Sequence, residues 1–241
     1  MNCVFTVCSV NYIYKSLALM ESVTDPYDKV IVLADTKRDL DFSHETIQVV
    51  FVEDLNIPRL YEMAFKYNII EFNTAIKPYV AQYLLNSYEK IIYLDPDTYV
   101  YSSLAPIEEE LVLKDFLLTP HAFSSARDDK RPSDTDILKF GVYNLGFFAA
   151  RRSPETRSIL DWWNDNLVDH CFYEPGMGLG VDQKIAELIP TYFQNVGVLT
   201  SKGCNVAFWN LHERTIVEAD DKLLINGDEE LVFAHFSSLS N

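Results

Sequence analysis

The chain has 241 residues, 48% of them hydrophobic and 23% charged, enough for one large α/β domain with a real core and too apolar for a disordered polypeptide. Its formal net charge is −16. That argues against nucleic acid or an anionic membrane as partner, because both are bound through Lys and Arg.

The four cysteines, Cys3, Cys8, Cys171 and Cys204, form no C-x-x-C pair, so zinc and thioredoxin-type chemistry gain no support. No disulfide framework is suggested, and the expected location is a reducing cytoplasm. The amino terminus lacks the basic region of a signal peptide. No stretch reaches the roughly 18 uninterrupted apolar residues of a membrane helix, so no integral membrane segment is expected.

Residues 3–7 form an apolar, β-branched run and read as the first strand. Cys8-Ser9-Val10-Asn11-Tyr12 follows, then a helical pattern over 16–23. Residues 30–34 and 47–52 read as two further buried strands. Strand, helix, strand, strand is the opening of a nucleotide-binding α/β layer. The small polar residues after the first strand would sit at the sheet's carboxyl edge, where a nucleoside could lie; they also suit an ordinary turn.

Residues 61–67 look helical. A second helix follows, capped by Asn73 or Thr74 and tolerating Pro78 in its first turn. Tyr79, Val80, Tyr83 and Leu84 would share one face of it. Lys77 at its start opposes the macrodipole. Such a lysine is either a solvated surface group or the partner of an anion, and the second reading is favoured.

Lys90-Ile91-Ile92-Tyr93-Leu94-Asp95-Pro96-Asp97 is the centre of the chain. The uninterrupted Ile, Ile, Tyr and Leu read as a strand buried on both faces, and Pro96 should end it. Side chains alternate across a strand, so Asp95 and Asp97 point to the same side. In open α/β sheets ligands bind at that carboxyl end. Two carboxylates this close repel unless a cation separates them, and a hard divalent ion fits oxygen ligands. The plainer reading is an acidic turn in water.

Residues 116–119 read as another strand. Residues 124–136 are polar, contain Pro132, and read as an exposed loop and candidate lid. Residues 142–150 form a buried strand holding Asn144 and Gly146. Glycine there marks a bulge or a close approach, which makes Asn144 either a candidate ligand contact or a satisfied amide beside a bulge. Ser153-Pro154-Glu155 starts a helix with Ile159, Trp163 and Leu167 on one stripe. Trp162 and Trp163 read as core and rim packing. The glycine-rich loop 175–180 is no phosphate fingerprint, since its spacing differs and no strand precedes it. It leads into a helix beginning at Asp182-Gln183. Residues 204–210 place apolar side chains between two amides, and 230–236 read as the last strand, with His235 near its end. No repeat or domain boundary is evident, so residues 1–241 read as a single domain.

Taken in order, the helix over 74–85, Tyr93-Leu94-Asp95-Pro96-Asp97, Tyr143-Asn144-Leu145-Gly146-Phe147, Val181-Asp182-Gln183-Lys184 and Ala234-His235-Phe236 resemble the GT-A fold nucleotide-sugar glycosyltransferases. Family 8 is the nearest match in pattern (glycogenin and bacterial lipopolysaccharide galactosyltransferases). The resemblance implies an α/β, Rossmann-like fold with a mostly parallel central sheet flanked by helices. It implies transfer of a sugar, with retention, from a UDP-sugar donor to a glycan, protein or lipid-linked acceptor. Asp95 and Asp97 match the DxD motif that binds Mn²⁺ (or Mg²⁺), with His235 as third ligand. Lys77 matches a basic residue that faces the donor. Val7, Ser9 and Tyr12 fall at the base and ribose, Asn144 and Gly146 near the donor sugar, and Asp182 and Gln183 beside the reacting carbon.

The family continues past its histidine with a glycine and a lysine that touch the diphosphate. Here Phe236-Ser237-Ser238-Leu239-Ser240-Asn241 follows. The chain is then either cropped at its carboxyl end or lacks those contacts, which keeps open a non-catalytic sugar-nucleotide or glycan-binding module of the same fold. A haloacid-dehalogenase-like phosphatase would want Thr or Val where Tyr99 stands, and its acidic strand first in the domain. A nucleotidyltransferase would want a glycine-rich basic loop after the first strand, which 8–12 does not offer.

Overall fold

A computed structural model of the protein describes residues 1–37, 42–127 and 131–237. The strands that position the site are β1 (Asn2–Cys8), β2 (Asp28–Leu33), β3 (Ile47–Phe51), β4 (Lys90–Leu94), β5 (Thr98–Val100), β6 (Phe116–Pro120) and β7 (Tyr143–Arg151). The central sheet has seven strands in the order Val196–Val198, β6, β7, β4, β1, β2, β3. Of these only β7 runs against its neighbours, pairing antiparallel with both β4 and β6. The fold is therefore mixed α/β with a mostly parallel sheet, as the sequence implies.

Alternation along the strands divides the core in two. Phe5, Val7, Ile91 and Tyr93 enter one apolar layer, while Val4, Cys8, Ile92 and Leu94 enter the other. That is why β4 shows no polar interruption: both of its faces are covered. Phe148 of β7 anchors the first layer, stacking on Tyr93 and Phe116 and meeting Trp163 edge-on. Trp163 comes from α7 (Pro154–His170), whose Ile159, Trp163 and Leu167 stripe is fully buried as expected. The Ser153 hydroxyl caps that helix by accepting from the Thr156 amide at 3.0 Å.

Several local expectations are revised. The helical stretch before β4 is two helices, α3 (Ile69–Ala75) and α4 (Lys77–Leu84). Asn68, with Glu71 three residues on, forms the capping box that starts α3. Asn73 and Thr74 lie inside α3 and cap nothing. On α4, Val80, Ala81 and Leu84 turn inward, whereas Tyr83 is 46% exposed. The glycine-rich loop sits between two short paired strands, Tyr173–Glu174 and Leu179–Gly180, so a strand does precede it. The expected last strand divides. Glu229–Glu230 joins a small sheet with Lys222–Ile225, and only Phe233–His235 pairs with β5. A hairpin the sequence reading missed, Ile216–Ala219 with Lys222–Ile225, turns at Asp220 and Asp221, with φ of 50° and 60°.

Of the expected lid, residues 128–130 lie outside the described residues, and its far end is a helix, Asp134–Phe140, capped by Ser133. The chain end at 238–241, where the family's glycine and lysine were sought, also lies outside them. Among the described residues no helix is long and apolar enough to cross a membrane.

Candidate functional site

The carboxyl ends of β1 and β4 lie on one edge of the sheet. Because β7 runs the other way, its beginning, Tyr143 and Asn144, comes to the same edge. β4 stops at Leu94. The Asp95 amide donates to the Gly146 carbonyl at 2.8 Å, and the Thr98 amide to the Asp95 carbonyl at 3.0 Å. Pro96 thus occupies the second position of a tight turn, where its fixed φ is favourable. The turn feeds β5, which pairs antiparallel with Phe233–His235, placing His235 opposite Thr98. The Phe236 amide closes on the Asp97 carbonyl at 2.8 Å.

Asp95, Asp97 and His235 consequently converge. His235 Nε2 lies 3.0 Å from Asp97 Oδ1 and 3.8 Å from Asp95 Oδ2. One ligand atom from each of the three lies within 4.8 Å of the others. Two carboxylates and one imidazole nitrogen are a donor set suited to Mn²⁺ more than Mg²⁺. The outer partner is present too. His235 Nδ1 is 3.3 Å from Asn144 Oδ1, an atom that can only accept, so Nδ1–H donates to it and Nε2 faces the carboxylates. Burial pushes the Asp97 carboxyl up, but its hydrogen bond and charge interaction with His235 outweigh that and hold it below the usual range. The three residues fit a divalent cation.

Lys77 opens α4 and is buried at 6% exposure. Its Nζ lies 3.2 Å from Asp95 Oδ1 and 3.2 Å from Asp182 Oδ2, and donates to the Leu145 carbonyl at 3.0 Å. It also sits 4.7 Å from the centre of the Tyr93 ring, whose hydroxyl donates to Asp95 Oδ1. Burial alone would lower its pKa; the two carboxylates overcome this and hold it at about 12. Lys77 is thus no surface lysine: two anions offset the unfavourable macrodipole. Burial raises the Asp182 carboxyl to about 6, against the pull of Lys77.

A cleft of about 230 Å³ opens in front of these groups. Val7, Ser9, Tyr12, Lys77, Asp95 and Asp97 line it together with Asn11, Ile69, Ile70, Asn73 and Tyr93. Asn144, Gly146, Asp182, Gln183 and His235 join the assembly through contacts instead. Gln183 accepts from the Leu145 amide at 3.2 Å and from Asn144 Nδ2 at 3.3 Å, and donates to the Phe140 carbonyl at 3.1 Å. The close approach at Gly146 is the imidazole of His235: a Cβ there would lie 2.4 Å from its Cε1. Asp182 is 2% exposed.

The sequence reading passed over several members. Asn73 donates to Ser9 Oγ at 2.8 Å, and Asp35 accepts from the Val10 amide at 2.6 Å. Asn205 donates to Asn144 Oδ1 at 3.2 Å. Asp35 follows a buried strand, the same signal that drew attention to Ser9 and Asp95. Asn205 carried no such signal beyond its place among apolar neighbours.

No protein-family profile matches the chain. The fold is that of the GT-A glycosyltransferases. Galactosyltransferase LgtC, solved with donor and acceptor sugar analogues, superposes with a TM-score of 0.57 at 15% identity, over 100% of this chain and 88% of that one. A glycosyltransferase involved in glycosylation of the major capsid of PBCV-1 superposes with a TM-score of 0.53 at 10% identity, over 97% and 92%. In sequence, the uncharacterized protein YfnF of Bacillus subtilis (strain 168) is 27% identical over 241 residues, covering 96% of this chain and 80% of the relative. YfnD of the same organism is 23% identical over 250 residues, covering 98% and 77%.

Proposed function

We propose that the protein is a metal-dependent glycosyltransferase moving a sugar from a UDP-sugar to a glycan, protein or lipid-linked acceptor, with retention. One observation carries the reading: Asp95, Asp97 and His235 offer three ligand atoms within 4.8 Å beside a cleft walled by a buried lysine, in a fold shared with sugar transferases. Cleaving the anomeric C–O bond leaves new negative charge on the departing diphosphate. A chain of net charge −16 can accept that only where local positive charge compensates. Mn²⁺ or Mg²⁺ held by Asp95, Asp97 and His235 would supply charge stabilisation without proton transfer. Lys77, charged at neutral pH, adds a fixed cation in a wall that excludes water, where it counts for more. Val7, Ser9 and Tyr12 hold the base and ribose, with Asn144 and Gly146 on the sugar side. Gln183 braces the start of β7. The burial of Asp182 against Lys77 favours a supporting role over direct attack on the sugar.

Residues 1–241 are read as one domain, acting in a reducing cytoplasm, where the four buried cysteines stay thiols. Thermal shifts with UDP-, GDP- and TDP-sugars, with and without Mn²⁺, test the reading. A UDP-sugar with Mn²⁺ should raise the melting temperature and release UDP over time; no shift from UDP with Mn²⁺ sinks the donor assignment. A shift without turnover selects the second reading, a binding module of the same fold. The 2% exposure of Asp182, which the resemblance places beside the reacting carbon, is what favours that reading.

A further inference from the structure

We propose that His121 is a positioning residue that fixes the orientation of the His235 imidazole through the side-chain amide of Asn144. The inference rests on the metal reading above and adds a residue to it. His121 follows β6, is 8% exposed, and is not among the residues that line the cleft. Its Nδ1 lies 3.4 Å from the Val142 carbonyl. A carbonyl only accepts, so Nδ1 carries the proton and Nε2 presents a lone pair. Asn144 Nδ2 lies 3.3 Å from that Nε2 and donates to it.

The amide then has no freedom to turn over. With Nδ2 on His121 and on Gln183 Oε1, Oδ1 must face His235 Nδ1 at 3.3 Å. Asn205 Nδ2 holds the same Oδ1 from another side at 3.2 Å, and is itself set by Asn210, which donates to the Asn205 and His121 carbonyls at 2.9 Å and 3.0 Å. An acceptor at Nδ1 leaves Nε2 of His235 turned to the two aspartates. A single indole completes the frame: Trp209 meets the His121 ring at 5.4 Å and the His235 ring at 5.2 Å, edge-to-face on both. Without the acceptor at His121, Nδ2 of Asn144 keeps only Gln183 Oε1, and the amide orientation that sets Oδ1 against the N–H of His235 is held less firmly.

The test compares wild type with His121→Phe and His121→Gln, whose side-chain oxygen can accept in place of Nε2. Metal-free protein carrying isotope-labelled histidine is examined by imidazole NMR, and Mn²⁺ affinity is measured by calorimetry without nucleotide. His121→Phe should lose the exchange-protected His235 Nδ1–H signal and bind Mn²⁺ about 10- to 100-fold more weakly, the usual effect of removing an outer partner. His121→Gln should keep the signal and most of the affinity. His121→Ala, which removes the acceptor and leaves room for water, takes the place of His121→Phe if that variant does not fold. An unchanged signal and affinity in folded His121→Phe overturns the inference. Wild type that binds no Mn²⁺ overturns the metal reading instead, and the NMR signal alone then decides the role of His121.

Discussion

Lys77 and Asp182 face each other at 3.2 Å in a wall almost closed to solvent, and the same lysine lies 3.2 Å from Asp95. One buried cation therefore serves two carboxylates from different parts of the chain, one after β4 and one at the start of the helix Val181–Ala186. Such a triad is costly to break and cheaper to remove whole, because the cost lies in leaving a buried charge unpaired. Lys77→Met should lower stability by about 3–5 kcal/mol. Lys77→Met with Asp182→Asn should recover a large part of that. Urea denaturation of the two single variants and the double variant measures the coupling; additive effects would show that the pair is not energetically linked.

Gly146 illustrates a residue fixed by what lies over it. A Cβ would fall 2.4 Å from His235 Cε1 and 2.7 Å from its Nδ1, so Gly146→Ala must displace the ring. The backbone of β7 itself tolerates alanine, so the stability cost should stay near the 1–3 kcal/mol typical of overpacking. Mn²⁺ affinity, measured by calorimetry, should fall at least about tenfold, the scale of a lost ligand alignment. Full affinity in a folded Gly146→Ala protein would show that His235 does not contribute to metal binding.

Burial pushes the His121 imidazole down to about 4, from an ordinary 6.5. Above pH 6.5 the ring is neutral in folded and unfolded chains alike and costs nothing. Between 6.5 and about 4 the unfolded chain takes up a proton that the folded one refuses, so stability falls as the solution is acidified. The full loss, below both values, is about 3 kcal/mol at 1.36 kcal/mol per unit. His121→Gln should flatten that limb of the stability–pH curve, measured by denaturation at several pH values. A limb unchanged by the substitution would assign the acid lability to other groups.

What was legible in the sequence followed from periodicity and from strand ends. β4 was readable because a strand covered on both faces has no polar position to hide, and α7 because its cap, proline and first-turn acid coincide. Asp95 and Asp97 were readable because a proline ends the strand between them. The split of the α3–α4 stretch was not, because Pro78 suits one helix start as well as an interruption, and the Asn68 capping box lies five residues before the Asn73–Thr74 pair that also has capping chemistry. Nor was the third layer of the site. Trp209 meets His235, and Asn205 and His121 reach it through Asn144, because Phe233–His235 pairs with β5 and bridges to Val206 and not to the central sheet. Long-range pairing of that kind leaves no local period.

The two aspartates should not behave alike when neutralised. Asp95 already carries the Lys77 ion pair and accepts the Tyr93 hydroxyl, so its charge belongs to the folded frame as much as to a ligand. Asp97 meets His235 at 3.0 Å and has fewer obligations to the core. Asp97→Asn should therefore abolish Mn²⁺-dependent release of UDP from a UDP-sugar while costing less stability than Asp95→Asn, chiefly the contact with His235. Asp95→Asn should abolish release too, and in addition lose about 1–3 kcal/mol of stability, since Lys77 keeps only Asp182 and the Tyr93 hydroxyl loses a charged acceptor. Chelation of the metal should reproduce the Asp97→Asn phenotype in the wild type, with no turnover and an intact fold. Equal stability losses in the two aspartate variants would mean that Lys77 does not draw its stabilisation from Asp95, and the charge assignment around the cleft would have to be redrawn.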